Sequence, residues 1–160
     1  MEIRIPVGAN PQHLLEVRRL ALRLMAEHDL RPGEPGGWSL KFDHASKRAG
    51  VTYRDSKTIS LSMKIMAQWP LRECEDTILH EIAHALTTGG HDREWRKVCM
   101  QIGAKPNTYY PDSLRPPSKY VGTCPQGHTF RRERWPKRDL ACAICSPRFS
   151  QKNLITWKVR

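Results

Sequence analysis

The segment TILHEIAHALTTGGHDREW, Thr77 to Trp95, constrains the chain more than any other. His80 and His84 stand four residues apart, a spacing that places two side chains on one side of a helix, one turn apart. Leu71, Cys74, Ile78, Ile82 and Ala85, widened by Leu79 and Leu86, mark an apolar face that has to pack against a core. A helix is therefore expected over Leu71–Thr88, stopped by Gly89 and Gly90. His91 arrives directly after that turn, and DREWRKVCMQIG reads as a further helix with Trp95, Val98, Cys99 and Ile102 inward.

Two imidazoles one turn apart can share a tetrahedral zinc ion at about 2.0–2.1 Å each. With Glu81 directly after His80, the pattern is the H-E-x-x-H arrangement of zinc peptidases. Zinc lowers the pKa of a bound water to about 7, and Glu81 is the candidate acid/base that takes the water's proton and passes it to the leaving amine. A catalytic zinc wants a third protein ligand and an open position. His91, separated from His84 by six residues, is the favoured candidate, with Asp92 and Glu94 as rival oxygen ligands. The plain alternatives are a helix that contains histidine by coincidence, or a zinc that only holds the fold.

A second constellation lies near the C-terminus. CPQGH supplies Cys124 and His128, and CAIC supplies Cys142 and Cys145 thirteen residues later. Three cysteines and one histidine fill a tetrahedral zinc completely, the mark of a structural site closed to water. The surrounding unit of about forty residues is too small for a core of its own, so metal binding would supply much of its folding free energy. A redox C-x-x-C is the rival reading, but no βαβ pattern surrounds it.

The charge is distributed unevenly. The 160 residues carry a net +11, and residues 120–160 hold nine Lys/Arg against two acidic residues, a net +7. Between the ligand pairs, Arg131, Arg132, Arg134, Lys137 and Arg138 are interleaved with Phe130 and Trp135, and Phe149 and Trp157 follow. Basic side chains contact phosphates and exposed aromatics stack on unpaired bases. The expected partner is DNA, single strands included, without sequence-specific readout because nothing resembles a recognition helix. Phe130 and Trp157 can equally form the small core of the ribbon. No apolar run is long enough to span a bilayer, and the N-terminus lacks the layout of a secretory signal. An intracellular monomer in a reducing compartment is expected, with Cys74 and Cys99 as buried thiols.

Elsewhere, NPQHLLEVRRLALRLMAEHDL carries Leu14, Val17, Leu20 and Leu24 at helical spacing, with Asn10 as N-cap and Pro11 at the first helical position. WSLKF, RAGVTY and TISLS are short and roughly alternating, which predicts a small antiparallel sheet or meander. MKIMAQWP is a short helical connection, with Met63 and Met66 in the core. The fold class is α+β, with a first domain over 1–110, a proline-rich linker over 111–119 and a basic zinc ribbon over 120–160.

In the order of these features the chain resembles the SprT-like zinc metallopeptidases, which include the Spartan-type DNA–protein crosslink proteases. WSLKFDHASKRAGVTYRDSKTISLS is similar to the family's hairpin region, TILHEIAHAL to its metal helix, HDREWRKVCMQIGA to the segment with the third histidine, and CPQGH…CAIC to its C-terminal ribbon. The resemblance implies a zincin-like domain, His80, His84 and His91 as ligands of a catalytic zinc, Glu81 as acid/base, and DNA-stimulated cleavage of DNA-bound or DNA-crosslinked proteins. The loop between His84 and His91 is short for the family, and a Cys-x3-His pair stands where many members have cysteines. A substrate peptide is expected to pair with an exposed strand edge, Thr58–Leu61. Tyr109 or Tyr110 could polarise the substrate carbonyl, though packing is the plainer role. A non-catalytic nucleic-acid adaptor and a general peptidase without a nucleic-acid role remain as alternatives.

Overall fold

The computed structural model describes residues 9–107 and 118–160. The chain divides into two compact units, Met1–Pro116 and Pro117–Arg160. Of the linker expected over 111–119, only Ser118 and Lys119 fall among the described residues.

The first unit is built from α1 (Pro11–Glu27), β1 (Ser39–Asp43), β2 (Gly50–Tyr53), β3 (Thr58–Ser62), α2 (Met63–Met66), α3 (Leu71–Leu86) and α4 (Arg93–Gln101). Helix α1 starts where the sequence places it: the Asn10 side chain accepts from the Gln12 N–H, and Pro11 occupies the first turn, where its missing N–H costs nothing. Its buried residues, Leu14, Val17, Ala21, Leu24 and Met25, form one stripe, and α1 packs on α3. The core is completed by Ile59 and Leu61 of β3, Met63, Ile65 and Met66 of α2, Ile78 and Ile82 of α3, and Trp95 and Cys99 of α4. Cys74 and Cys99 are buried thiols as expected, and burial pushes the Cys74 thiol up to about 12.

The sheet corrects the expected meander in one respect. Strands β2 and β3 form an antiparallel pair, but β1 lies parallel to β3, and the order is β1-β3-β2. Alternation in a sequence tells which residues face the core, not which neighbour each strand takes. Here β2 is itself the crossover that lets β3 return alongside β1. Asp43 ties down the start of that crossover: its carboxylate accepts from the Ala45 N–H, the Ser60 hydroxyl and the Arg48 guanidinium. Burial opposes ionisation of Asp43, but those hydrogen bonds and the Arg48 charge outweigh it and hold its pKa below the ordinary value.

This topology overturns the expectation that Thr58–Leu61 offers a strand edge to substrate. Strand β3 is the central strand, paired on both sides, and all five of its residues are buried. Among the described residues, the unpaired edges belong to β1 and β2.

The second unit is a three-stranded antiparallel sheet of β4 (Tyr120–Thr123), β5 (Thr129–Arg132) and β6 (Thr156–Val159) in the order β5-β4-β6. Gly122 lies opposite both Phe130 and Trp157, and a Cβ there would stand 2.8 Å from the Trp157 ring. The glycine is what lets the indole lie against the sheet. Phe130 and Trp157 are half-buried, which gives this unit its small apolar centre.

Candidate active site and metal centres

Helix α3 brings His80 and His84 to one side, and the turn after it returns His91 to them. The Nε2 atom of His91 lies 3.1 Å from Nε2 of His84 and 3.1 Å from Nε2 of His80. With zinc–nitrogen bonds of about 2.0–2.1 Å, such separations correspond to N–Zn–N angles of about 100°, close to tetrahedral. The three residues therefore fit one zinc ion, with a fourth position left over. Asp92 and Glu94 do not join the cluster. Asp92 instead caps α4, its Oδ1 accepting from the Trp95 N–H at 2.9 Å.

The imidazoles are suited to binding a cation. Burial, followed by the charge of His91, lowers the His80 pKa to about 4. Burial, then His80, His91 and Arg54, lowers His84 to about 4 against the opposing pull of Asp92. Both rings are thus neutral ligands at neutral pH. A hydrogen bond to the Asn107 backbone orients His80. Beneath the cluster lies Trp95, fully buried, with ring centroids 4.6, 5.1 and 4.5 Å from those of His80, His84 and His91. The sequence marks Trp95 only as an inward residue of α4; its place as the floor under three histidines emerges from the turn before it.

Glu81 leaves α3 on a different side and is 5% exposed. Its Oε2 accepts a hydrogen bond from the Thr52 hydroxyl at 2.7 Å, and the same hydroxyl approaches the Glu81 carbonyl oxygen at 2.8 Å. Burial raises the Glu81 carboxyl to about 7, with the Thr52 hydrogen bond and the Arg48 charge opposing it. Gly50 makes room for this side chain: a Cβ at position 50 would lie 2.8 Å from the Glu81 Cγ and 3.1 Å from its Oε1. Gly50 and Thr52 do not stand out in the sequence, although their alternate positions on one strand already place them on a common face. Tyr109 and Tyr110 lie outside the described residues.

In the second unit, Cys124, His128, Cys142 and Cys145 converge. The His128 Nδ1 lies 3.5, 3.5 and 3.3 Å from the sulfurs of Cys124, Cys142 and Cys145, and the Cys124 and Cys145 sulfurs are 3.8 Å apart. A tetrahedral zinc with ordinary bond lengths requires about 3.6 Å between sulfur and nitrogen and about 3.8 Å between sulfurs. The donors match that geometry, and all four positions are taken by protein. Gly127, at φ +88°, supplies the left-handed residue that turns the chain between Cys124 and His128. Burial opposes ionisation of Cys124, yet backbone hydrogen bonds at His128 and Gln126, with those of Cys145 and Cys142, bring its pKa down to about 6.

The candidate nucleic-acid residues Arg131, Arg132, Arg134, Trp135, Lys137 and Arg138 are all exposed. The Arg132 guanidinium sits 5.9 Å from the Trp157 ring, and Tyr120 meets Trp135 edge-on. Trp135, Lys137, Arg138 and Trp157 contribute to the lining of a depression of about 260 Å³.

No helix among the described residues is long and apolar enough to cross a membrane. No curated protein sequence matches the chain. Among solved structures, the metallopeptidase zymogen of Methanocaldococcus jannaschii jannalysin is similar at a TM-score of 0.45 and 11% identity, over 61% of this chain and 85% of that one. The SprT-like family matches residues 20–115, more than half of the sequence, and the chain belongs to that family.

Proposed function

We propose that this chain is a zinc-dependent endopeptidase that cleaves proteins bound or crosslinked to DNA. Family membership and the converging histidines support the peptidase. The hydrolytic reading is carried by Glu81, a buried carboxyl next to His80 that Thr52 holds by one oxygen. His80, His84 and His91 would hold the ion. Bound there, zinc supplies a Lewis acid for the peptide carbonyl and lowers the pKa of water to about 7.

The rest falls to the chain's own groups. The Thr52 hydroxyl occupies Oε2 of Glu81 and leaves Oε1 to accept a proton from the attacking water. Glu81 then returns that proton to the leaving amine nitrogen. Trp95 closes the floor of the site and keeps the imidazoles from tilting. An extended substrate would pair with the free edge of β2, the strand that also carries Thr52.

The closed Cys124, His128, Cys142 and Cys145 site would hold a second, structural zinc that braces the basic unit. Exposed arginines and lysines there supply phosphate contacts, and Trp135 offers a stacking face. The described part of this unit contains no α-helix to enter a groove, which favours recognition without sequence readout.

The test is proteolysis of a DNA-bound protein, with and without single-stranded DNA, by the wild type and Glu81→Gln. The expected result is DNA-stimulated cleavage by the wild type, and none by a variant that keeps its zinc. Equal cleavage by Glu81→Gln would remove the hydrolytic role. Cleavage indifferent to DNA points to a general peptidase, and zinc binding without cleavage points to an adaptor.

A further inference from the structure

We infer that Arg54 is the positioning residue for the third histidine: it fastens the end of α3 to the turn that carries His91, and so sets the three-histidine geometry. The inference rests on the reading of His80, His84 and His91 as metal ligands.

Helix α3 ends without the usual device. The last carbonyls of a helix lack partners inside it, and a glycine of positive φ commonly closes them. Gly89 and Gly90 do not adopt positive φ. Gly89 is needed for a different reason, since a Cβ there would come within 1.8 Å of the Asp92 carboxylate that caps α4. The carbonyls are instead gathered by Arg54, one residue past the end of β2. Its Nε donates to the carbonyl of His84 at 2.9 Å and to that of Thr87 at 2.8 Å, and its Nη2 donates to that of Gly89. The Thr87 hydroxyl adds a bond to the Ala83 carbonyl at 2.8 Å.

These contacts run from one ligand residue, His84, to within two residues of the next. His91 itself is exposed and belongs to no helix or strand. Among the described residues its ring touches His80, His84 and Trp95. Among the described residues, the backbone that leads to it is held at His84, Thr87 and Gly89 by the Arg54 guanidinium. Only arginine presents several donors in a fixed fork, and its charge also suits a helix C-terminus. Lysine would keep the charge and lose the fork.

A merely structural Arg54 would be a helix cap that stabilises the fold whatever happens at position 91. A positioning Arg54 acts on metal affinity chiefly through His91, and a double-mutant cycle cancels whatever its charge and its bond to the His84 carbonyl do independently of His91, so the two roles separate there. The measurement is cobalt(II) and zinc affinity of the full chain at the histidine site. Cobalt distinguishes this site from the thiolate site, whose sulfur-to-metal charge-transfer band is absent from an all-histidine centre. Arg54→Ala should weaken metal binding by about 10- to 100-fold, the range for groups that orient ligands. In a His91→Ala background the same change should have an effect below about threefold on that scale. Arg54→Lys should fall between the wild type and Arg54→Ala, and it carries the test if the alanine variant does not fold. Equal weakening in both backgrounds, or unchanged affinity in Arg54→Ala, would overturn the inference while leaving the metal site intact. A wild type that binds no metal at the histidines, or a His91→Ala variant with undiminished affinity, would overturn the metal reading and the clamp with it.

Discussion

Gly50→Ala is the smallest change that reaches the proposed acid/base. Gly50 does not have a positive φ, so alanine meets no backbone strain there and the effect is steric. The added methyl would stand 2.8 Å from the Glu81 Cγ and 3.2 Å from its Cδ. Non-bonded carbons rest at about 3.5–4.0 Å, so Glu81 or β2 must yield by about 1 Å. Glu81 has little room to yield, being buried and held at Oε2 by Thr52. Overpacking of this kind costs about 1–3 kcal/mol of stability. A 1 Å misplacement of a catalytic group costs about 100-fold in rate, equivalent to about 2.7 kcal/mol in the barrier.

The assay is kcat on a DNA-bound protein substrate, with zinc content and thermal unfolding measured on the same preparation. Gly50→Ala should lose about 100-fold in kcat with zinc retained, because the three atoms nearest the new methyl all belong to Glu81. Truncating the partner supplies the control: in a Glu81→Ala background, Gly50→Ala should cost almost no stability. A kcat within about threefold of the wild type would refute the reasoning, since Gly50 would then not be what sets the place of the Glu81 carboxylate.

Three further outcomes are expected. Thr52→Val keeps the shape and removes the donor to Glu81; it should cost about 1–3 kcal/mol and move the acid limb of the kcat–pH profile upward, because the lost hydrogen bond favours the carboxylate form. In metal-free protein, burial raises the folded Glu81 carboxyl from its ordinary 4.5 to about 7. Its stabilising contribution is thus complete below about 4.5 and is lost as pH rises through about 7, by at most about 3 kcal/mol. Urea melts should show the wild type losing stability relative to Glu81→Gln over that window, read by circular dichroism at 222 nm, since all described α-helices lie in the first unit. Cys142→Ser should lower the zinc content by one ion and abolish DNA binding without changing the helical signal, and retained binding to DNA would count against a metal-braced interface.

The legible parts of this protein are those in which chemistry and spacing are local. His80 and His84 announce a helix, Asn10 and Pro11 announce the start of another, and Cys124, His128, Cys142 and Cys145 announce a closed tetrahedron. Each follows from residues a few positions apart. The illegible parts depend on pairings between distant segments. The alternation in TISLS is compatible with an edge or a centre, and only the return of the chain through β2 decides that β3 is central. Asp92 looks like a metal ligand in the sequence because it follows His91, yet the nearby Trp95 N–H claims it as a cap. Thr52 and Arg54 look like ordinary strand and turn residues, since nothing local links them to a helix about thirty residues away.

The same distant pairing explains how so short a strand organises the site. Gly50, Thr52 and Arg54 alternate, and alternate residues of an extended chain share a face. That face meets α3, and each position addresses a different requirement along the helix. Gly50 yields space for the Glu81 side chain, Thr52 fixes one of its oxygens, and Arg54 fastens the helix end from which the chain turns back to His91. A shift of β2 by one residue would turn Val51 and Tyr53 toward the helix and remove all three contacts at once. Its register is fixed by pairing with β3, Gly50 against Leu61 and Thr52 against Ile59, two of the most deeply buried residues of the core. The placement of the proposed acid/base and the approach of the third histidine are therefore set by the same apolar packing that holds β3. Destabilising substitutions at Ile59 or Leu61 should for that reason reduce activity before they unfold the protein.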